Sequence, residues 1–165
     1  MSDYKDLFKD DPSLWIEVLP KYQKDIVLVL LSKSDDYEEV ASIWLNASPQ
    51  NTYPYGAQKT NRIFLDKLLD EIEAFLCGDI KYKNDISKLL KESKVVHTFF
   101  VSVMSAAIAP SLGVSGAVLA PVIVIILTSV CKVTLNAWIE MRKESRNKQN
   151  KEGESNLDSK LIQGT

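Results

Sequence analysis

Apolar positions along the chain change rhythm twice. From the N-terminus to about residue 90 they come in short blocks at helical spacing, separated by turn formers. Pro12 after Asp11 predicts a helix start, with Asp as N-cap and Pro at the first helical position. Leu14, Trp15, Val18 and Leu19 form its apolar face, and Pro20 ends it. A second helix is expected over 21–32. Its apolar run is continuous from Ile26 to Leu31, which predicts burial or a strand; helix is favoured because Tyr22, Gln23 and Lys24 lead into it without a turn. Residues 34–36 cap a third helix, with Asp35 and Glu38 at capping-box spacing. Tyr37, Val40, Ile43 and Trp44 line its inner side. Pro49, Asn51, Pro54 and Gly56 make 46–59 a loop. A fourth helix follows, with Phe64, Leu65, Leu68, Leu69, Ile72, Phe75 and Leu76 at spacings of three and four. Gly78 stops it as the residue just past the helix end.

A fifth helix begins near Asn84, with Ile86, Leu89 and Leu90 on one face. Nothing in the residues halts it before Pro110. From 110 to 116 the pattern reads as a turn, and a sixth helix is expected over about 115–146. Residues 147–165 are polar and sparse in apolar side chains, so a disordered tail is expected there. The predicted fold is all-α. An N-terminal bundle of short helices (1–83) leads into a long antiparallel hydrophobic hairpin (84–146, apolar over 95–131) and then the tail (147–165).

The second change of rhythm is the apolar block itself. Residues 95–131 contain no Asp, Glu, Lys or Arg. Mean hydropathy over 112–130 is about +2.4, in the range of transmembrane helices, and over 95–113 it is about +1.6, at the edge of that range. A bilayer core takes roughly 20 helical residues, which the second half supplies. Its centre, and the expected inserting surface, is Leu119, Val122, Ile123, Val124, Ile125, Ile126 and Leu127. Lys88, Lys91 and Lys94 precede the block, and Lys132, Arg142 and Lys143 follow it. The positive-inside rule then places both flanks on the cytoplasmic side, which requires two helices and a turn. The first helix is short: 95–109 reaches about 22 Å at 1.5 Å per residue. Ser105, Ala109 and Gly113 sit four apart, as do Gly116 and Ala120. Such small residues let helix backbones approach closely in lipid. Together with Pro110 they form the expected packing and turn set of the hairpin. In layout alone, with no shared motif, this resembles the hidden hydrophobic hairpin of colicin-type pore-forming domains. That resemblance implies a form that is soluble until the hairpin inserts.

Charge adds an asymmetry. Residues 1–59 hold ten acids and six bases, whereas basic positions gather after Lys132. The formal net charge of -2 does not favour nucleic acid as a partner. Cys77 and Cys131 are the only cysteines, which suggests a reducing compartment rather than a disulfide framework. The opening residues are charged and lack an apolar core, so they are not read as a signal peptide.

Candidate chemistry is thin. The single histidine, His97, has Ser93 one turn before it but no acid at helical spacing to orient the imidazole. It is read as a packing or pore-lining residue. No phosphate-binding, dinucleotide, zinc-protease or nucleophile-elbow motif occurs. No cofactor, metal site or enzymatic activity is expected.

The leading expectation is a non-enzymatic membrane-active effector whose hairpin inserts, oligomerises and perturbs the bilayer. Its partners would be lipid, further copies of itself, and a protein engaged by the N-terminal helices. It would be membrane-associated with cytoplasmic termini, and a soluble cytoplasmic form is allowed. Two alternatives stand beside it. One is a soluble helical adaptor with the hairpin buried in its core or interface. The other is a membrane-resident immunity or accessory protein.

Overall fold

A computed structural model describes residues 4–47 and 57–163. Among these the fold is all-α, without strands. Short 3-10 turns occupy Tyr4–Lys9 and Ile80–Tyr82. The α-helices are α1 (Ser13–Ile16), α2 (Lys21–Lys33), α3 (Tyr37–Ala47), α4 (Ala57–Leu76), α5 (Lys83–Leu90), α6 (His97–Leu112), α7 (Gly116–Val133) and α8 (Leu135–Gln163). The chain divides into two compact units, Met1–Lys132 and Val133–Thr165.

In the first unit, α4 is the scaffold. Most of its expected stripe is realised: Leu65, Leu68, Leu69, Ile72, Phe75 and Leu76 are all buried, while Phe64 is half-buried. It packs on α3 and on α6, while α5 and α1 also pack on α6, and α2 lies on α3. Gly78 ends α4 at φ +76°. The N–H groups of Gly78 and Asp79 reach back to the carbonyls of Phe75 and Ala74, at 3.1 and 2.9 Å. This is the double return bond of a Schellman end, and only glycine adopts its backbone without cost.

Several boundaries differ from expectation. The helix expected to run unbroken from Asn84 to Pro110 is split, because residues 91–96 leave helical geometry and Val96 is extended at φ -105°, ψ 157°. Burial of Val95 fixes that bend, and neither glycine nor proline marks it. The expected turn over 110–116 is shorter: α6 continues through Pro110 to Leu112, and only Gly113 to Ser115 turns. Pro110 and Pro121 both sit inside helices. The acceptors they leave without an intrahelical donor belong to Ala106 and Ala117, both exposed residues.

The helix expected over 115–146 breaks at Thr134, which stands at φ +82°. Its hydroxyl then caps α8 by accepting from the Ala137 N–H at 3.3 Å. Beyond residue 147, where disorder is expected, α8 continues as helix to Gln163. Side chains 147–157 there are all exposed, so packing does not carry this stretch.

The N-terminal blocks also shift. In α1 Trp15 and Ile16 are buried, with Leu19 just beyond it, while Leu14 is exposed. Asp11 still caps the start, accepting from the Ser13 N–H at 2.9 Å. This bond holds its carboxyl below the usual range. Asp36, not Asp35, caps α3, accepting from the Glu38 and Glu39 N–H groups at 3.0 and 3.2 Å. In α3 the inner residues are Val40, Ala41 and Leu45, and Ile43 is exposed. The run in α2 is not buried as expected, since only Val27 is enclosed. Among the described residues, one face of α2 carries exposed apolar side chains, Ile26, Leu28 and Val29 among them. The loop expected over 46–59 falls mostly outside the described residues, and Ala57 already belongs to α4.

Candidate functional site

The helix at the centre of the first unit is α7. It spans 18 residues with mean hydropathy 2.3, long and apolar enough to cross a membrane. Eighteen residues reach about 27 Å. All seven residues expected to insert are buried: Leu119, Val122, Ile123, Val124, Ile125, Ile126 and Leu127 are each no more than 1 % exposed. From Pro121 to Cys131 only Ser129 is even partly exposed. A helix that is apolar on every side must be enclosed on every side, by protein or by lipid. Here protein encloses it.

Helix α6 solves the same problem differently. Phe100, Met104 and Ile108 turn inward, while Thr98, Ser102, Ala106 and Pro110 form an outward stripe at spacings of four. Its hydroxyls and small residues meet solvent, so α6 is apolar in composition yet amphipathic in place. Helix α7 has no such stripe.

The expected packing set is partly brought together. Gly116 at the start of α7 lies against the Ser105–Ala106 backbone: a Cβ added there would sit 3.6 Å from the Ser105 carbonyl group and 3.7 Å from the Ala106 nitrogen. Ser105 is buried and its hydroxyl has no hydrogen-bond partner among the described residues. Ala109 is buried, and its carbonyl accepts from the Gly113 and Val114 N–H groups. Gly113 supplies the left-handed turn at φ +69°. Ala120 is half-buried and Pro110 is exposed.

The basic flanks scatter. Lys88 lies 3.8 Å from Asp85, Lys143 lies 3.7 Å from Glu140, and the Lys132 ammonium stands 5.2 Å from the centre of the Tyr37 ring. Lys91 and Lys94 are exposed, and Arg142 is half-buried.

Two polar arrangements around this core escaped the sequence reading. The first is a clasp made by the N-terminal segment. Tyr4, Leu7, Phe8 and Trp15 are buried. Phe100 of α6 collects the rings of Tyr4 at 5.7 Å, Phe8 at 5.9 Å and Trp15 at 5.6 Å. Trp15 also meets Phe8 at 5.1 Å and His97 edge-on at 4.5 Å. The Cys131 thiol of α7 donates toward the carbonyls of Phe8 and Asp10, each at 3.3 Å. His97 Nε2 lies 3.9 Å from the Asp10 carboxylate. The acid missing at helical spacing therefore comes from the far end of the chain, although beyond hydrogen-bond distance. His97 packs, as expected. The only hint in the sequence was the 4, 7, 8 spacing of Tyr4, Leu7 and Phe8.

The second arrangement joins α4 to the segment before α5. The Tyr82 hydroxyl donates to Glu71, and Lys81 Nζ reaches the two Glu71 oxygens at 2.8 and 2.7 Å. Burial, and then the Glu71 carboxylate, push the Tyr82 hydroxyl well above its ordinary range, against a smaller opposing bond to Ser111 of α6. Among the described residues no group of His, Cys, Asp and Glu has a metal-holding arrangement.

No protein-family model, no curated protein and no solved structure matches the chain.

Proposed function

We propose that this chain is a non-enzymatic membrane-active protein that stores its inserting element inside a helical wrapper. In this reading the structure is the closed form. The protein around α7, with the N-terminal segment lying at Cys131, keeps it from water. On opening, α6 and α7 enter the bilayer as an antiparallel hairpin, oligomerise and perturb it. The observation that carries the reading is the character of α7. Its length suits a bilayer core, it carries no charge from Gly116 to Cys131, and it has no polar stripe. A peripheral helix of a soluble bundle needs only one apolar face, and α6 is an example within the same molecule.

The test is direct. Full-length protein added to dye-loaded vesicles releases the dye, and a carbonate-resistant membrane pool forms in cells. Complete dye retention at saturating protein, with only a soluble pool, overturns the proposal.

A second reading has its own support. The wrapper already satisfies α7, with 61 % of its residues buried without lipid. Helix α2 presents Tyr22, Ile26 and Val29 outward at 67, 49 and 53 % exposure, aligned at i, i+4 and i+7. A soluble helical interaction module accounts for both features. It predicts a defined species in detergent-free buffer whose assembly changes when Ile26 is replaced by Ser.

A further inference from the structure

We infer that the edge formed by residues 80–96 is a docking surface for an anionic lipid bilayer, used by the closed form before any insertion. The inference rests on the membrane-active reading above and names where first contact occurs. Ile80 is 84 % exposed, the highest value among the large apolar residues described, and Leu90 and Val96 are 49 and 48 % exposed. They are spread along the segment, singly and between lysines, rather than gathered in a groove that would seat a protein side chain. The segment carries five lysines and two acids, an excess of three positive charges in a chain whose net charge is -2. Two of the lysines are engaged, Lys81 with Glu71 and Lys88 with Asp85. Lys83, Lys91 and Lys94 are exposed and have no carboxylate partner among the described residues.

The helical part aligns these groups. On α5, Leu89 is buried, and Lys83 and Leu90, seven residues apart, share an exposed side next to it. An aliphatic tip flanked by long cationic side chains suits the boundary between headgroups and acyl chains, where the lysine stems lie along apolar surface and the ammonium groups reach phosphates. The segment also runs into the start of α6 at His97, so docking there brings the first apolar helix to the bilayer.

The experiment is co-sedimentation of the full chain with phosphatidylcholine vesicles made with and without phosphatidylglycerol, with dye release followed in parallel. Binding is expected only with phosphatidylglycerol, and it weakens with salt. Each lysine near an anionic surface is worth about a fivefold change in partitioning. The Lys83→Gln, Lys91→Gln, Lys94→Gln triple variant is therefore expected to bind about a hundredfold more weakly. Leu90→Ser and Ile80→Ser weaken binding while the thermal midpoint holds, because both side chains are exposed.

Equal binding to both vesicle types, or an unaffected triple variant, overturns the docking surface. So does self-association abolished by Leu90→Ser without vesicle binding, which assigns the edge to a second copy. The two proposals fail separately. Docking without dye release removes the perturbing activity but keeps the surface. Dye release untouched by the triple variant removes the surface but keeps the activity.

Discussion

Replacing Trp15 by alanine tests whether the N-terminal segment holds the closed form together. The side chain is fully buried, with ring centres 4.5 Å from His97, 5.1 Å from Phe8 and 5.6 Å from Phe100. Truncating a buried Trp or Phe to Ala costs about 3–5 kcal/mol through lost transfer energy and the cavity left behind. A domain of this size has about 5–15 kcal/mol in total, so the substitution removes about a fifth of it at the least. Urea unfolding followed by far-ultraviolet circular dichroism measures the loss. That probe is preferable to fluorescence because Trp44 and Trp138 remain.

Trp15→Phe keeps a ring against Phe8 and Phe100 and is expected to recover most of the stability. The functional consequence follows from the equilibrium. Destabilising the closed form by 3 kcal/mol raises the open population about a hundredfold, so vesicle dye release accelerates in Trp15→Ala and returns toward the parent rate in Trp15→Phe. A loss under about 1 kcal/mol refutes the clasp as a structural element. A large loss with unchanged release refutes its role in holding α7 back.

Other outcomes follow from single contacts. Tyr82 keeps its proton in the folded state at pH values where the unfolded chain loses it. Its contribution is therefore complete below the ordinary value of 10.0 and declines above it. The stability gap between the parent and Tyr82→Phe is expected to shrink from about pH 9 to about pH 11, and a constant gap refutes the burial of the Tyr82 hydroxyl beside Glu71. Gly116→Ala places a methyl at an ordinary 3.6 Å from Ser105 and changes stability by less than about 0.5 kcal/mol, whereas Gly116→Leu forces the backbones apart and costs about 1–3 kcal/mol in urea melts. Thr134 is a β-branched residue in left-handed geometry at φ +82°. Thr134→Asn tolerates that backbone, keeps the cap on Ala137, and is expected to stabilise the α7–α8 junction by about 1 kcal/mol, read from the thermal midpoint.

Where packing followed local periodicity, the sequence was legible. The α4 stripe from Leu65 to Leu76, the Gly78 stop, and the helical apolar centre from Val122 to Leu127 all followed from spacing and residue type. The breaks did not. Neither glycine nor proline marks the bend at 91–96 or the break at Thr134: the bend goes with burial of Val95, and the exposed Thr134 carries no local signal for its left-handed backbone. The clasp was equally hidden. Asp10 and His97, or Phe8 and Cys131, lie far apart in the chain, and no local pattern joins them.

Taken alone, the residues of α7 determine that this helix must be shielded from water over its whole circumference, since none of its sides offers a polar stripe. They do not determine what shields it. The outward Thr98, Ser102 and Ala106 stripe of α6, the aromatic lid of Tyr4, Phe8 and Trp15, and the exposed apolar side of α2 were decided only in three dimensions. Burial is a property of neighbours, and the hydrophobic effect fixes how much surface is hidden without specifying which segment hides it.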